Sequence, residues 1–196
     1  GLNQAIHGIV KPGDHVIATA ADHNATLRPL HYLREKGCIS LTIVPCDERG
    51  LVDPDELVRA WQANTRLVTV SHASNVTGVT QEVQAIVNVA RERDTISILD
   101  ASQSMGQIVM SQYDSIADIV VSPGHKWLMG MHGIGVLYAR QGIHFDPLIQ
   151  GGTGTTSESL EMPVKIQDQV EVGTLDFPAV VALLAGCRWL KEEGLK

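Results

Sequence analysis

The sequence predicts an α/β fold of three layers, with a mostly parallel central sheet covered by helices on both faces. Short apolar runs typical of buried strands alternate with segments of helical periodicity, at a spacing of about twenty residues. This alternation indicates repeated β-α-β units, in which each helix returns the chain to the same end of the sheet. Several strands end abruptly in polar residues, and open α/β sheets bind ligands at that edge. We therefore expect one domain with a polar site there.

The first half of the chain supplies three helices and three strands. Apolar residues at helical spacing predict helices over 2–10 and 26–36, and Gly37 is a typical residue just after a helix end. Asp53 followed by Pro54 predicts the start of a third helix, because Asp caps helices and Pro fits their first turn. Strands are predicted over residues 15–20, 39–44 and 66–71.

The second half continues the alternation and then becomes less regular. An amphipathic stripe predicts a helix with Thr80 as its cap, and a final helix is predicted over 177–190. Residues 150–159, rich in glycine and hydroxyl side chains, are predicted to form a flexible loop. The stripe consists of Val83, Ile86, Val87 and Ala90, and strands are predicted over 96–99, 116–121 and 133–140.

Composition excludes several classes of protein. The net charge is -7 and the basic residues are scattered, which argues against nucleic-acid binding. No apolar run approaches the roughly 18 residues of a membrane span, and no histidine or cysteine spacing suggests a metal site. Three cysteines without a CxxC pair fit a reducing cytoplasm. Both ends of the 196 residues fall in helical patterns without an initiator methionine, so we expect a piece of a longer protein.

The two residues best suited to catalysis follow neighbouring strands. Asp100 ends the run 96–99, and Lys126 lies five residues after the run 116–121. An acid at one strand end and a lysine at the next suit an anionic cofactor that forms an imine, because a partly desolvated lysine supplies a neutral amine. Both have ordinary alternatives: most lysines are solvated surface groups, and Asp100 can cap the helix that follows, a role that Ser102 could share.

Five further polar side chains follow predicted strands. Taken singly, a histidine or asparagine at a strand end is usually a turn residue with a satisfied side chain. Taken together, they offer a flat stacking group, hydrogen-bond donors and a phosphate cradle at one edge of the sheet. These residues are His23, Asn75, Gln103, Ser122 and His125.

Several motifs occur in the order of a known family: ADHNAT, SHASNVTG, ILDASQS, SPGHKW with GIGVLY, QGGTGTTSES and VEVGTL. With them the chain resembles the class V aminotransferases, which use pyridoxal 5'-phosphate (PLP), and within them the cysteine desulfurases and selenocysteine lyases. The resemblance implies the PLP-dependent transferase fold of type I. Residues 1–196 would be its PLP-binding large domain, truncated at both ends and lacking the small C-terminal domain.

The resemblance also implies three catalytic residues. Lys126 would bind PLP as a Schiff base and then carry a proton. Asp100 would contact the pyridine nitrogen, and His23 would stack on the ring. Further residues would bind the cofactor: Asn75 and Gln103 near its phenolic oxygen, Ser122 and His125 at its phosphate, and Thr155 or Thr156 at a phosphate in the partner subunit of a homodimer.

The reaction implied is removal of sulfur from L-cysteine, which leaves alanine and a persulfide and can involve a sulfur-acceptor protein. Other class V reactions stay open: transamination, selenocysteine lysis or β-elimination, as does a catalytically incomplete module. None of Cys38, Cys46 and Cys187 matches the family's sulfur-accepting cysteine. That cysteine and the carboxylate-binding arginine are expected beyond Lys196, and the family's phosphate loop before Gly1.

Overall fold

The computed structural model describes residues 1–109 and 117–195 and confirms the predicted three-layer α/β architecture. Six strands form one sheet in the order β2-β1-β3-β4-β5-β6, in which the first five are parallel and β6 is antiparallel to β5. The helices are α1 (Leu2–Ile9), α2 (Asn24–Glu35), α3 (Pro54–Ala60), α4 (Val83–Glu92), α5 (Ile166–Val170) and α6 (Phe177–Glu193). The strands are β1 (Asp14–Thr19), β2 (Ile39–Val44), β3 (Thr65–Ser71), β4 (Ile96–Asp100), β5 (Ile119–Pro123) and β6 (Gly135–Ala139).

Two apolar cores, one on each face of the sheet, hold the layers together. Successive side chains of a strand point to opposite faces, so Ile98 packs towards α1 and α2 while Leu99 packs towards α3 and α4. The same alternation separates Leu67 from Val68 in β3. All four of these side chains are almost fully buried. Both faces are therefore covered, which is why the strands of this sheet are continuous apolar runs in the sequence.

The ends of the first helices follow the chemistry of their terminal residues. Asp53 accepts a hydrogen bond from the Asp55 N–H at 2.9 Å, and Pro54 occupies the first turn of α3, as predicted. After α2, Gly37 adopts a left-handed φ of 69°, which glycine tolerates without steric cost. The Gly37 and Cys38 N–H groups then donate to the carbonyls of Arg34 and Leu33, which closes the helix in a Schellman motif.

Two predictions for the second half need correction. Thr80 does not cap α4: Glu82 precedes the helix, and Thr80 lies in an isolated β-bridge with Ala73. The bridge holds the chain extended at Thr80, too far before the helix for its hydroxyl to reach the first turn. Helix α5 was not predicted, because it has only five residues and buries none of them. The predicted strand 116–121 begins at Ile119, and Ile116 lies outside the described residues.

Polar side chains link the strands near their amino ends. The buried ring of His15 contacts two hydroxyls, with Nδ1 2.8 Å from Thr65 Oγ1 and Nε2 2.8 Å from Thr42 Oγ1. Because those threonines lie on β3 and β2, His15 joins both neighbours of β1. Asp118, also buried, accepts hydrogen bonds from the Ser97 N–H at 2.9 Å and from Arg140 Nε at 2.7 Å. These contacts near the amino ends of the strands stabilise the sheet, and the carboxyl ends are left for the ligand.

Burial gives His15 a pH-dependent effect on stability. Desolvation lowers the pKa of this imidazole from its ordinary value of 6.5. Between the ordinary and the lowered pKa the unfolded chain binds the proton that the folded chain does not. The free energy of unfolding must therefore fall as the pH falls below about 6.5.

We expect His15→Gln to have a lower free energy of unfolding than the wild type at pH 7.5. The difference between the two free energies should be smaller at pH 5.5, because the variant lacks the titrating group. Urea unfolding at the two pH values measures this. His31→Gln, which makes the same substitution at an exposed histidine of α2, is the matched control. A constant gap between wild type and His15→Gln would contradict the assignment.

Candidate active site

A cleft of about 1100 Å³ opens at the carboxyl ends of the parallel strands. Parallel register brings these ends into line, with Ser71 beside Asp100 and Asp100 beside Val121. Seven of the nine predicted cofactor-binding residues line the cleft: His23, Asn75, Asp100, Gln103, Ser122, His125 and Lys126. Cys46 also lines it, half-buried, which the sequence did not indicate.

Asp100 ends β4 with its side chain only 6% exposed. One carboxylate oxygen, Oδ1, accepts a hydrogen bond from the Ser102 N–H at 2.9 Å. Asp100 therefore caps a turn and not the expected helix, because residues 101–109 form turns and contain no helix. Within the described ranges the other oxygen, Oδ2, has no hydrogen-bond partner. The side chain is thus oriented through Oδ1, and Oδ2 remains available to a cationic group in the cleft.

Lys126 lies in a tight loop after β5. The Gly130 N–H donates to the Gly124 carbonyl at 2.8 Å, and the Gly124 N–H donates to the Ile134 carbonyl at 2.8 Å, so the loop is closed on itself and tied to the segment before β6. A side chain at position 124 would collide with Ile134, so this position requires glycine. Lys126 is half-buried and forms no ion pair with any residue in the described part of the chain. Its amine is free to react with a ligand.

His23 is held at the start of α2 by its own ring. Nδ1 accepts a hydrogen bond from the Ala25 N–H at 3.1 Å, which caps the helix. An imidazole nitrogen that accepts carries no proton, so the ring is the neutral tautomer with its hydrogen on Nε2. The backbone N–H of His23 donates to Ser71 Oγ at 3.4 Å. The ring is therefore fixed in direction, exposed and available for stacking.

Asp22, which was not predicted as a site residue, fixes the backbone just before His23. Its carboxylate is 6% exposed and accepts hydrogen bonds from the Thr19 N–H at 3.0 Å, Thr69 Oγ1 at 2.8 Å and the Ser71 N–H at 2.6 Å. Burial raises the pKa of Asp22, and these three donors partly oppose that shift. Asp22 joins the carboxyl ends of β1 and β3. The sequence signal was its position, directly after a buried strand and before His23.

The remaining predicted residues differ in how firmly they are held. Asn75 is exposed, whereas Ser122 is 2% exposed with Oγ 3.5 Å from the Ala101 carbonyl oxygen. The ring of His125 lies against the ring of His132, with their centroids 4.6 Å apart. Gln103 Oε1 accepts a hydrogen bond from Trp127 Nε1 at 2.9 Å. The cleft thus presents a hydroxyl, an imidazole and carboxamides near the lysine.

Thr155 and Thr156 do not line the cleft formed by this chain. Both are exposed, in a segment without regular secondary structure. Thr155 Oγ1 lies 3.1 Å from Thr153 Oγ1 and 3.3 Å from Asp168 Oδ2. Their predicted contact with a phosphate of the partner subunit is not tested by a single chain and stays a prediction.

The described residues contain neither a candidate metal site nor a candidate membrane-spanning helix. Over 1–109 and 117–195, no three His, Cys, Asp or Glu side chains are grouped so that they could hold a metal ion. None of the helices within those ranges is long and apolar enough to cross a membrane. The chemistry offered by the cleft is that of a lysine amine and a buried carboxylate that line the same cavity.

Comparison with known proteins agrees with this geometry. The family model "Aminotransferase class-V" matches residues 1–196. The protein named probable cysteine desulfurase from Methanothermobacter thermautotrophicus is 32% identical over 191 residues, which are 95% of this chain and 47% of that protein. The cysteine desulfurase of Thermococcus onnurineus NA1, solved as the apo form, superposes with a TM-score of 0.87 at 29% identity, over 98% of this chain and 50% of that one.

A further solved structure, SspA in complex with cysteine, superposes with a TM-score of 0.81 at 28% identity, over 95% of this chain and 52% of that one. These matches confirm the predicted type of fold. The chain spans about half the length of the relatives and solved structures it matches.

We expect Asp22→Asn to lower the free energy of unfolding by about 2 kcal/mol, because whichever way the amide turns, its NH2 faces a backbone N–H and leaves that donor unpaired. Urea unfolding at pH 7.5 measures the loss. Thr69→Val, which removes only one donor to the same carboxylate, should cost about 1 kcal/mol. Equal stabilities of wild type and Asp22→Asn would show that the carboxylate does not join β1 to β3.

Proposed function

The chain belongs to the aminotransferase class V family, and on that premise we propose that it is the PLP-binding large domain of a cysteine desulfurase-like enzyme. The observation that carries the proposal is the placement of Asp100 and Lys126 at the ends of adjacent strands, opening into one cleft. Coverage of about half of each relative supports the assignment to one domain of a larger enzyme.

The residues of the cleft fit PLP. Asp100 offers Oδ2, which has no partner among the described residues, to a protonated pyridine nitrogen. Such a charge-assisted hydrogen bond is worth about 1.5–3 kcal/mol. Lys126 would hold the cofactor covalently through its amine, and the neutral ring of His23 would stack on the pyridine face. Asn75 and Gln103 would contact the phenolic oxygen.

The phosphate would be held at the end of β5. Ser122 supplies a hydroxyl and His125 an imidazole, both lining the cleft within the turn that leads to Lys126. In a homodimer, Thr155 or Thr156 of one protomer would reach the phosphate held by its partner. The exposure of both threonines, away from this chain's own cleft, supports that arrangement.

When bound, PLP supplies an electron-withdrawing ring that stabilises negative charge at the α-carbon of an amino acid. Asp100 would keep the pyridine nitrogen protonated, which maintains that withdrawal. Lys126 would accept the α-proton of the substrate at Nζ and return it. Lys126 forms no ion pair with the described residues, so its amine is not already engaged by a carboxylate of this chain.

The proposed substrate is L-cysteine, supported by the names of the relatives and by the cysteine-bound structural neighbour. Sulfur would pass from cysteine to an acceptor thiol, so that one carbon–sulfur bond breaks, one sulfur–sulfur bond forms, and alanine is released. The acceptor would be a cysteine outside this chain or on a sulfur-acceptor protein. The three cysteines of the chain are free thiols, which supports a cytoplasmic enzyme.

Cofactor binding is tested with the purified chain, PLP and borohydride. We expect a visible absorbance band that borohydride abolishes, leaving a PLP adduct at Lys126 detectable by mass spectrometry. Lys126→Ala should lose the adduct completely, since it lacks the amine. Lys165→Ala, at a lysine that does not line the cleft, is the matched control and should keep it. The absence of an adduct in the wild-type chain and in the whole enzyme alike would refute the cofactor assignment.

The reaction is tested with L-cysteine and a small thiol as acceptor, using the whole enzyme and the chain alone. Desulfuration predicts equal amounts of alanine and of sulfur transferred to the thiol, abolished in Lys126→Ala. Pyruvate in place of alanine would identify β-elimination, and a keto acid that retains the sulfur would identify transamination. An adduct without any turnover by the whole enzyme would indicate a catalytically incomplete module.

A further inference from the structure

We propose that Trp127 is a positioning residue that fixes the side-chain amide of Gln103, so that its NH2 group faces the cleft and donates to the phenolic oxygen of bound PLP. The observation is the hydrogen bond from Trp127 Nε1 to Gln103 Oε1, 2.9 Å long. The inference rests on the proposed function, because the phenolic oxygen belongs to the cofactor proposed for the cleft.

The chemistry of the two side chains sets the direction of the amide. An indole N–H can only donate, so the atom of Gln103 that faces it must be the carbonyl oxygen. The oxygen and nitrogen of a carboxamide diverge from the same carbon, so the NH2 group is turned away from the indole. Gln103 lines the cleft and Trp127 does not, which leaves the NH2 group as the end that faces the ligand. Without the indole, the amide is free to turn over and present an acceptor.

Backbone packing supplies a second, independent link between the same two loops. Gly106 has a left-handed φ of 92°, and a side chain there would collide with the carbonyl group of Trp127. The loop that follows β4 is therefore pressed against the residue after Lys126. Because Asp100 and Gln103 lie on one loop and Lys126 on the other, Trp127 sets the position of the lysine and the amide together.

The coupling between the side chains is tested in the chain without cofactor. Trp127→Phe identifies the indole N–H signal in the NMR spectrum, and hydrogen exchange of that signal is then measured in wild type and in Gln103→Ala. We expect exchange to become several-fold faster in Gln103→Ala, which removes the acceptor. The signal of Trp189, half-exposed on α6, is the internal control and should not change. Equal exchange rates for Trp127 in the two proteins would overturn the proposal.

The effect on the cofactor is tested by a pH titration of the absorbance band in the PLP-loaded chain. A donor to the phenolic oxygen reduces the negative charge beside the nitrogen contributed by Lys126. Its loss lets that nitrogen hold its proton more tightly, so the midpoint in Trp127→Phe should rise by about 0.5 pH unit or more. Trp189→Phe, the same substitution on α6, should titrate as the wild type. An unchanged midpoint in Trp127→Phe would overturn the proposal.

Gln103→Glu provides a variant that keeps the indole hydrogen bond, because a carboxylate accepts from Trp127 as an amide does. It has no NH2 group and adds a negative charge, so its midpoint should rise. Gln103→Leu removes the NH2 group without adding a charge, so an unchanged midpoint in that variant would overturn the proposal even if Trp127→Phe fails to fold. Borohydride trapping of the wild type distinguishes a failure of the cofactor assignment from a failure of the proposal about Trp127. The absence of an adduct in the wild-type chain and in the whole enzyme overturns the cofactor assignment and this proposal together, whereas an adduct with an unchanged midpoint in Trp127→Phe overturns this proposal alone.

Discussion

The parallel register of β3, β4 and β5 is the constraint on which the site depends. Hydrogen bonding between these strands fixes Ser71, Asp100 and Val121 side by side. Strands β3 and β4 end there, and β5 ends two residues later at Pro123, so the loops that follow begin at nearly the same level and converge on one cleft. A slip of one residue would turn Asp100 to the opposite face of the sheet and bring an apolar side chain in its place. The packing of the core and the geometry of the cleft are therefore specified by the same backbone pairing.

Several residues serve the fold and the cleft at once. His23 caps α2 with Nδ1 and leaves its ring in the cleft, and Asp100 orders its own loop with one oxygen and offers the other. The ordinary interpretation of a strand-end polar residue is thus compatible with a functional one. The structural hydrogen bond reduces the conformational freedom that a ligand would otherwise have to restrict, which favours binding.

The sequence was sufficient for features that depend on local chemistry. Strand β2, the cap at Asp53 and the strand-end positions of Asp100 and Lys126 all follow from residue type and spacing. What could not be predicted depends on contacts between distant segments. Thr80 has the composition of a helix cap, but a bridge to Ala73 holds it elsewhere.

The same limit applies inside the site. The position of Asp22 after a strand is visible in the sequence, but its role in joining β1 to β3 is not, because its donors are Thr19, Thr69 and Ser71. The bond between Trp127 and Gln103 spans 24 positions of sequence and has no local signature. A strand-end pattern therefore locates a site, while the hydrogen bonds that orient its side chains require the tertiary structure.

The reversed direction of β6 has a consequence for how the cleft can vary. Because β6 is antiparallel to β5, its amino end, not its carboxyl end, meets the cleft, and Gly133 and Gly135 line the wall there. A side chain at 135 would lie 3.0 Å from the Ser122 carbonyl oxygen. At position 135 the wall therefore has to remain main chain, so evolution can alter ligand preference more readily at other positions of the cleft, where side chains can be exchanged without disturbing the sheet.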